Sequence, residues 1–215
     1  MANLANFSGI GKTRATVAGI GNATMYRVAG IVGSLRAGSY NRALFRAAVS
    51  ALPSRLQIVE APILDVPLFN QDVEDAGDPE AVAGLRQAIS GADGVLIFCP
   101  EYNAGIPGVL KNALDWASRM HNGQRVLWDK PVGIMGASDG RFGTTRSQMA
   151  MRSLLPQLGM RLMPTPAVMI AQVEELVDDD GNLSDEKTRE RIREHLEAFH
   201  HWIDVFARAE RDREP

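Results

Sequence analysis

From Tyr26 onward, short apolar runs alternate with longer stretches in which apolar residues recur every three or four positions. The short runs predict β-strands, and the longer stretches predict helices packed against them. Strands are expected at Arg27–Val32, Leu56–Glu60, Gly94–Cys99, Val132–Gly136 and Arg161–Pro164. The third and fourth are apolar without interruption, as is typical of central strands in a parallel sheet. The second and fifth are therefore expected at the edges.

The longer stretches carry their apolar residues on one face. Val82, Leu85 and Ile89 illustrate the spacing, which follows the 3.6-residue period of an α-helix. Helices are expected at Asn41–Ala51, Glu80–Ser90, Gly108–Ser118, Arg146–Leu158 and Ser184–Arg208. Ser184 is a modest N-cap candidate, because Lys187 stands where a capping box has Glu. The acidic segment from Asp65 to Asp78 is expected to be a solvated loop.

Alternating strands and helices predict an α/β protein whose parallel sheet is covered on both faces. Five such units in a chain of this length fit a flavodoxin-like, doubly wound five-stranded sheet, with strand order 2-1-3-4-5, better than the larger two-halved dinucleotide-binding fold. We expect one domain at residues 25–215. Residues 1–24, rich in Gly, Ala, Asn and Thr without a sustained period, are predicted to be a poorly ordered N-terminal appendage.

Composition narrows the classes of partner and compartment. The 215 residues include 23 basic and 26 acidic side chains, a formal charge of -3, which offers no general attraction for nucleic acid or anionic membranes. A single cysteine excludes an internal disulfide framework and fits a reducing compartment. No apolar stretch reaches the roughly 20 residues of a membrane span. We expect a cytoplasmic protein that contacts neither nucleic acid nor membrane.

In an open parallel sheet, ligands bind beyond the carboxyl ends of the strands, so the loops after strands one, three and four are the candidates. The first, Gly33–Asn41, combines two glycines with Arg36 and the hydroxyls of Ser34 and Ser39. Glycines let the backbone approach an anion, while hydroxyls, the guanidinium and the following helix N-terminus donate to its oxygens. This combination predicts a site for a phosphate monoester. The alternative is an ordinary turn in which Ser39 only caps the helix.

The other two loops are less specific. Pro100–Gly108 has two prolines and two glycines, and its fixed path suits backbone contacts along the edge of a flat heterocycle, unless it is an ordinary turn with an exposed tyrosine. Gly136–Arg146 is long, polar and cationic. It is suited to close over a ligand or to contact nucleotide phosphates through Arg141, although a Gly-rich turn needs no function to exist.

Three motifs on these loops resemble the NADPH-dependent FMN reductase family, with the soluble quinone and chromate reductases as the nearest branch. They are G-S-L-R-A-G-S-Y-N at 33–41, P-E-Y-N-A-G-I-P-G-V-L-K-N-A-L-D-W at 100–116 and G-A-S-D-G-R-F-G at 136–143. The likeness runs from Tyr26 to about Ile170, and the two longer motifs are specific as a pair. It implies an enzyme with bound FMN that passes two electrons from NADPH or NADH to a quinone, chromate or an azo compound by ping-pong hydride transfer.

The resemblance also implies the roles of individual residues. The FMN phosphate would be held by Ser34, Arg36, Ser39, Tyr40 and Asn41; the isoalloxazine would be lined by Pro100, Glu101, Tyr102 and Asn103, with Ser138 on its far side; and NADPH would be met by Gly140 and Arg141. No catalytic side chain is expected, because the flavin carries the chemistry. No metal is expected either, since the four histidines are scattered and Cys99 fits a packed core thiol.

Members of this family are dimers or tetramers, which implies that the helix after the second loop packs on a partner and that the interface completes the site. Residues 116–128 are the expected contact, although their local sequence departs from that of the quinone-reductase branch. Two other functions stay open. Free FMN is a possible substrate, released after reduction, and a non-catalytic flavin electron carrier is the third hypothesis, against which the modest charge of -3 argues.

Overall fold

The structure is a computed structural model that describes residues 24–178 and 180–212. Its strands are β1 (Tyr26–Val32), β2 (Leu56–Glu60), β3 (Gly94–Phe98), β4 (Pro131–Ala137), β5 (Arg161–Leu162) and β6 (Val168–Ile170). Its α-helices are α1 (Tyr40–Ser50), α2 (Gln71–Asp75), α3 (Glu80–Ser90), α4 (Gly108–Ser118), α5 (Thr145–Gln157) and α6 (Glu186–Arg211). Except for Thr24, the predicted N-terminal appendage lies outside the described residues.

The strands form one parallel sheet in the order β2-β1-β3-β4-β5, and β6 also pairs with β4. The predicted order and the edge positions of the second and fifth strands are confirmed. The register places Val28 beside Gly94, and Val95 beside Val132. The carboxyl ends of β1, β3 and β4 therefore lie next to one another at one edge of the sheet.

Helices cover both faces of the sheet, because successive strand residues point to opposite sides. In β3, Leu96 and Phe98 pack with the α1 and α6 side chains, whereas Val95 and Ile97 pack with α3, α4 and α5. All five β3 residues are buried. The continuous apolar run that predicted a central strand is thus explained by two cores, one on each face.

The fifth strand differs from its prediction. It was expected at Arg161–Pro164, but it pairs in two pieces, β5 beside the start of β4 and β6 beside its end. Between them lie Pro164 and Pro166, which have no backbone N–H to donate to a neighbouring strand. The second piece extends the sheet to Ile170 beside Ala137, at the edge that carries the loops.

Two helix predictions also need correction. The last helix begins at Glu186 rather than Ser184, and its N-cap is Asp185, whose carboxylate accepts a bond of 2.7 Å from the Thr188 amide. The expected acidic loop contains the short helix α2, which Asn70 caps by accepting from the Asp72 amide. None of the helices in the described part of the chain combines the length and apolar character that a membrane span requires.

Candidate functional site

Three loops meet at the carboxyl edge of the sheet: loop 1 (33–39) after β1, loop 2 (99–107) after β3 and loop 3 (138–144) after β4. Every predicted site residue lies on these loops or on the first turn of α1. Loop 1 and α1 carry Ser34, Arg36, Ser39, Tyr40 and Asn41; loop 2 carries Pro100, Glu101, Tyr102 and Asn103; loop 3 carries Ser138, Gly140 and Arg141. The structure therefore brings the three predicted groups to one edge.

Loop 1 presents a set of hydrogen-bond donors. Within the described chain, the backbone amides of Leu35, Ala37 and Gly38 have no acceptor. The Arg36 guanidinium lies 5.4 Å from the Tyr40 ring centroid and forms no ion pair with a described residue. The loop begins at Gly33, where an added Cβ would approach the Leu110 and Pro100 side chains to 2.9 Å. The close packing at Gly33 fixes the start of the loop, and the next four residues after Ser34, from Leu35 to Gly38, are exposed.

Ser39 is the N-cap of α1, and its hydroxyl oxygen accepts a bond of 3.2 Å from the Asn41 amide. Ser39 therefore does cap the helix, as the alternative considered from the sequence expected, and this bond leaves open whether it also binds an anion. A capping hydroxyl still has its own hydrogen to donate. Capping and binding of an anion at the helix N-terminus are therefore compatible, as the partial positive charge there favours both.

Asn41 is buried and makes two bonds to the backbone of Ala137 at the end of β4. Its side-chain nitrogen donates to the Ala137 carbonyl at 2.8 Å, and its oxygen accepts from the Ala137 amide at 3.1 Å. The side chain thus bonds to the backbone of β4 as a neighbouring strand would. It does so at Ala137, beyond Met135, where the pairing of β3 with β4 ends. Asn41 therefore acts as a brace between α1 and the end of β4, where loop 3 begins.

Loop 2 turns sharply between Tyr102 and Gly105, which exchange backbone hydrogen bonds of 3.2 and 3.0 Å. The two residues at the tip, Asn103 and Ala104, have φ angles of 50° and 62°, in the left-handed region that L-residues avoid and that recurs at functional sites. The Tyr102 hydroxyl shares a hydrogen bond of 2.8 Å with Ser34. Loops 1 and 2 are therefore joined through these two side chains.

Glu101 connects loop 2 to α5. One carboxylate oxygen accepts from the backbone amides of Arg146 at 2.8 Å and Ser147 at 3.1 Å, and the other accepts from the Arg146 guanidinium, with an Nε–oxygen distance of 2.6 Å. Burial raises the pKa of Glu101, but these bonds outweigh it and hold the pKa below its ordinary value. The group is ionised at neutral pH.

Loop 3 is anchored near its start and exposed at its tip. The Ser138 amide donates to the Ile170 carbonyl at 3.0 Å, and the Ser138 hydroxyl accepts from the Gly140 amide at 3.1 Å. Arg141 is exposed and has no ion-pair partner among the described residues. Phe142 is also exposed, with the Arg146 guanidinium 5.3 Å from its ring centroid. The tip thus offers one cation and one aromatic ring to solvent.

Sequence reasoning missed the contacts of residues 67–70, which side chains of α4 hold. The Pro67 carbonyl accepts from the Trp116 indole and the Asn112 side chain, both at 2.8 Å, and Asn112 accepts from the Phe69 amide. Leu68 is 83% exposed, and Met120 at the end of α4 is also exposed. Asn112 and Trp116 belong to the motif at residues 100–116, but the sequence pattern did not predict that they bond to Pro67 and Phe69.

A cavity of about 640 Å³ lies elsewhere, at the opposite edge of the sheet, between the α3–β3 turn, residues 120–131 and the end of α6. It contains none of the predicted site residues. We assign the site to the strand-end loops because they hold the donors, and because open parallel sheets bind ligands at that edge. Cys99 is buried, and burial raises the pKa of its thiol to about 12. It is therefore a core thiol, as predicted.

Comparisons with known proteins point to one family. A family model described as NADPH-dependent FMN reductase matches residues 26–175. An NAD(P)H-dependent FMN reductase of Pseudomonas aeruginosa is 44% identical over 177 residues, 82% of this chain and 95% of that protein. A 2-hydroxy-1,4-benzoquinone reductase of a Burkholderia species is 40% identical over 82% of this chain and 96% of its own. The solved structure of a flavoenzyme NAD(P)H:(acceptor) oxidoreductase of Paracoccus denitrificans superposes with a TM-score of 0.77 at 36% identity, covering 84% of this chain and 98% of that one.

Proposed function

The chain belongs to the NADPH-dependent FMN reductase family, and from that premise we propose that it binds FMN across its three loops and passes a pair of electrons from NAD(P)H to a quinone. Relatives in this family carry the names quinone reductase and FMN reductase. The observation that carries the proposal is loop 1, where amides without an acceptor and a guanidinium without an ion-pair partner among the described residues stand with a hydroxyl at a helix N-terminus. Chromate and azo compounds are further candidate acceptors.

The residues of loop 1 fit the phosphate of FMN. A phosphate monoester carries up to two negative charges at neutral pH, and the amides of Leu35, Ala37 and Gly38 with Arg36 supply both donors and charge. Ser34, Ser39 and Tyr40 stand at the same place and add hydroxyls. In this proposal Asn41 acts through its bonds to Ala137 rather than by donating to the phosphate.

Loops 2 and 3 would hold the ring system of the flavin. In this proposal the ring is lined on one side by Pro100, Glu101, Tyr102 and Asn103, which follow β3, and on the other by Ser138, which follows β4. We assign their flavin contacts to the backbone, because the Glu101 carboxylate is already fully bonded to α5. Backbone amides aimed at the ring would stabilise the negative charge that reduction adds.

Bound FMN supplies the hydride acceptor and donor chemistry that protein side chains lack. The chain's own residues then have three tasks, namely to anchor the phosphate, to orient the ring and to leave one ring face open. On that face the nicotinamide and the quinone would bind in turn, which predicts ping-pong kinetics. Gly140 and Arg141 at the exposed tip of loop 3 are the proposed contacts for the nucleotide.

We also propose that the active form is a homodimer or homotetramer. Leu68 and Phe69, called here the apolar patch, are exposed beside α4, and the Arg119 guanidinium lies 5.5 Å from the Phe69 ring centroid. Exposed apolar side chains that lie together on a surface suggest a protein interface. A second copy seated there would complete the cleft. The cytoplasmic location stays a prediction from composition.

A second candidate is the reduction of free FMN, which the name of the 44% identical relative favours. The two functions differ in whether flavin leaves the protein between turnovers. A third, the flavin electron carrier, differs from both because it would not itself oxidise NAD(P)H.

Anaerobic stopped-flow measurements separate these functions. The protein is first passed through gel filtration, and its flavin content per chain is measured. Bound flavin that loses its 450 nm absorbance with NADPH and regains it with benzoquinone supports the proposal. Flavin that elutes apart from the protein, combined with NADPH oxidation that depends on added FMN, supports the second candidate. Bound flavin without NADPH oxidation overturns both.

A further inference from the structure

Glu101 occupies the N-terminus of α5 from another loop. Helix α5 has 13 residues, and its own N-cap residue, Thr144, makes no side-chain capping bond. The amides of Arg146 and Ser147 instead donate to Glu101, which precedes them by 45 and 46 residues. The Glu101 side chain is 3% exposed, although it stands in a surface loop. The carboxylate therefore takes the place of a local cap, and it joins loop 2 to the start of α5.

The bonds to Glu101 leave its carboxylate little capacity for a ligand. Both oxygens accept charge-assisted or helix-terminal bonds, and Arg146 adds a second contact through its Nη2. Charge-assisted bonds of this kind are roughly twice as strong as neutral ones. A flavin atom that took one of these positions would leave a helix amide or the guanidinium without its partner.

We propose that Glu101 is a positioning residue that fixes loop 2 relative to loop 3 before FMN arrives, so that the two walls of the flavin site already stand at their bound separation. This inference rests on the proposed function. Its physical basis is that a site ordered in advance loses less conformational entropy on binding. The Ser34–Tyr102 contact already ties loop 1 to loop 2, and the Asn41–Ala137 contact ties α1, which follows loop 1, to the end of β4, where loop 3 begins. The Glu101–α5 contact adds the connection between loop 2 and the helix that follows loop 3.

The test uses Glu101→Gln, which keeps the shape of the side chain but removes its charge and places an amide nitrogen against Arg146. Glu80→Gln is the matched control, since Glu80 is an exposed acid in the first turn of α3, away from the three loops. FMN is titrated into each flavin-free protein and followed by quenching of flavin fluorescence. We expect the FMN dissociation constant to rise about tenfold or more for Glu101→Gln and to stay within twofold for Glu80→Gln.

Arg146→Met separates positioning from direct contact. If Glu101 acts through α5, Arg146→Met also weakens FMN binding, and the double variant is weaker by less than the product of the two single effects. Hydrogen exchange should then show faster exchange at the amides of residues 146–147 in Glu101→Gln, with unchanged protection in β1 and β3. Lower protection throughout the sheet would instead indicate general destabilisation and contradict the inference.

Two outcomes overturn the inference while the proposed function stands. One is wild-type affinity for FMN in Glu101→Gln, and the other is an effect of Glu101→Gln that multiplies with that of Arg146→Met. Failure of the wild-type protein itself to bind FMN would refute the proposed function. The exchange measurement on residues 146–147 would still decide whether Glu101 orders α5.

Discussion

The brace between Asn41 and Ala137 offers a test of how the three loops are held together. Replacing Asn41 by Ala removes two hydrogen bonds, of 2.8 and 3.1 Å, and leaves the amide and carbonyl of Ala137 without their partner. Asn41 and Ala137 are each 2% exposed. Water therefore reaches the vacated groups poorly, and most of their desolvation penalty should persist.

The loss in stability can be estimated from these two bonds. Each contributes about 1 kcal/mol net, and each buried backbone group left unpaired costs about 1–3 kcal/mol more, partly relieved by local movement. We expect Asn41→Ala to lower the free energy of unfolding by about 3 kcal/mol. With a urea m-value of about 2 kcal/mol/M, the unfolding midpoint falls by about 1.5 M.

The assay is urea unfolding of the flavin-free protein, followed by far-UV circular dichroism. Asn182→Ala is the control, because among the described residues the Asn182 side chain accepts one exposed bond, of 3.2 Å from Arg46. Its midpoint should shift by less than a third of the Asn41→Ala shift. A midpoint for Asn41→Ala within 0.3 M of wild type would refute the view that this brace holds α1 to β4.

Three further predictions follow from the structure. Burial lowers the pKa of His195 from 6.5 to about 4, so between these pH values the unfolded chain binds a proton that the folded chain does not. The free energy of unfolding therefore falls as pH drops from 6.5 towards 4, by about 3 kcal/mol. Urea unfolding of His195→Asn should show that much less pH dependence, and a pH dependence equal to that of the wild type would contradict the lowered pKa of His195. Leu68→Glu should convert the oligomer to monomer in analytical ultracentrifugation, whereas Val205→Glu on α6 should not; an intact oligomer in Leu68→Glu would exclude the apolar patch as the interface. Ala104→Gly should stabilise the protein by about 0.5–1 kcal/mol, because the φ of 62° strains a residue with a Cβ. Ala150→Gly, at an exposed position of α5, should destabilise it by about 1 kcal/mol. Thermal unfolding temperatures that move the same way in both variants would argue against strain at the tip of loop 2.

The sheet and its order could be predicted from the sequence because β3 and β4 lie between two cores and must be apolar on both faces. Helix α3 begins and ends where the spacing of its apolar residues predicted. The fifth strand could not be placed by apolar content alone, since Pro164 and Pro166 divide its pairing. Helix α2 was missed because its five residues bury no side chain and leave no apolar period.

The loops of the site were predictable, but the partners of their side chains were not. Glycines and hydroxyls after a strand indicate an anion site by local chemistry alone. The link between Glu101 and Arg146 spans 45 residues, and that between Asn41 and Ala137 spans 96. Such pairs depend on where the fold brings distant loops, which no local pattern encodes. Glu101 and Asn41 were therefore assigned to the flavin from motif position, whereas their side chains bond to protein.

Binding of FMN and riboflavin, compared on the wild-type protein and Arg36→Ala, tests the central claim most directly. The two ligands share the ring and differ only in the phosphate. Calorimetric titration should show one FMN per chain in the wild type and weaker riboflavin binding. Arg36→Ala should weaken FMN about ten- to hundredfold, as expected for the loss of charge-assisted bonds, and leave riboflavin within twofold. Equal affinity of the wild type for both ligands, or an equal loss of both in Arg36→Ala, would contradict the assignment of loop 1 to the phosphate.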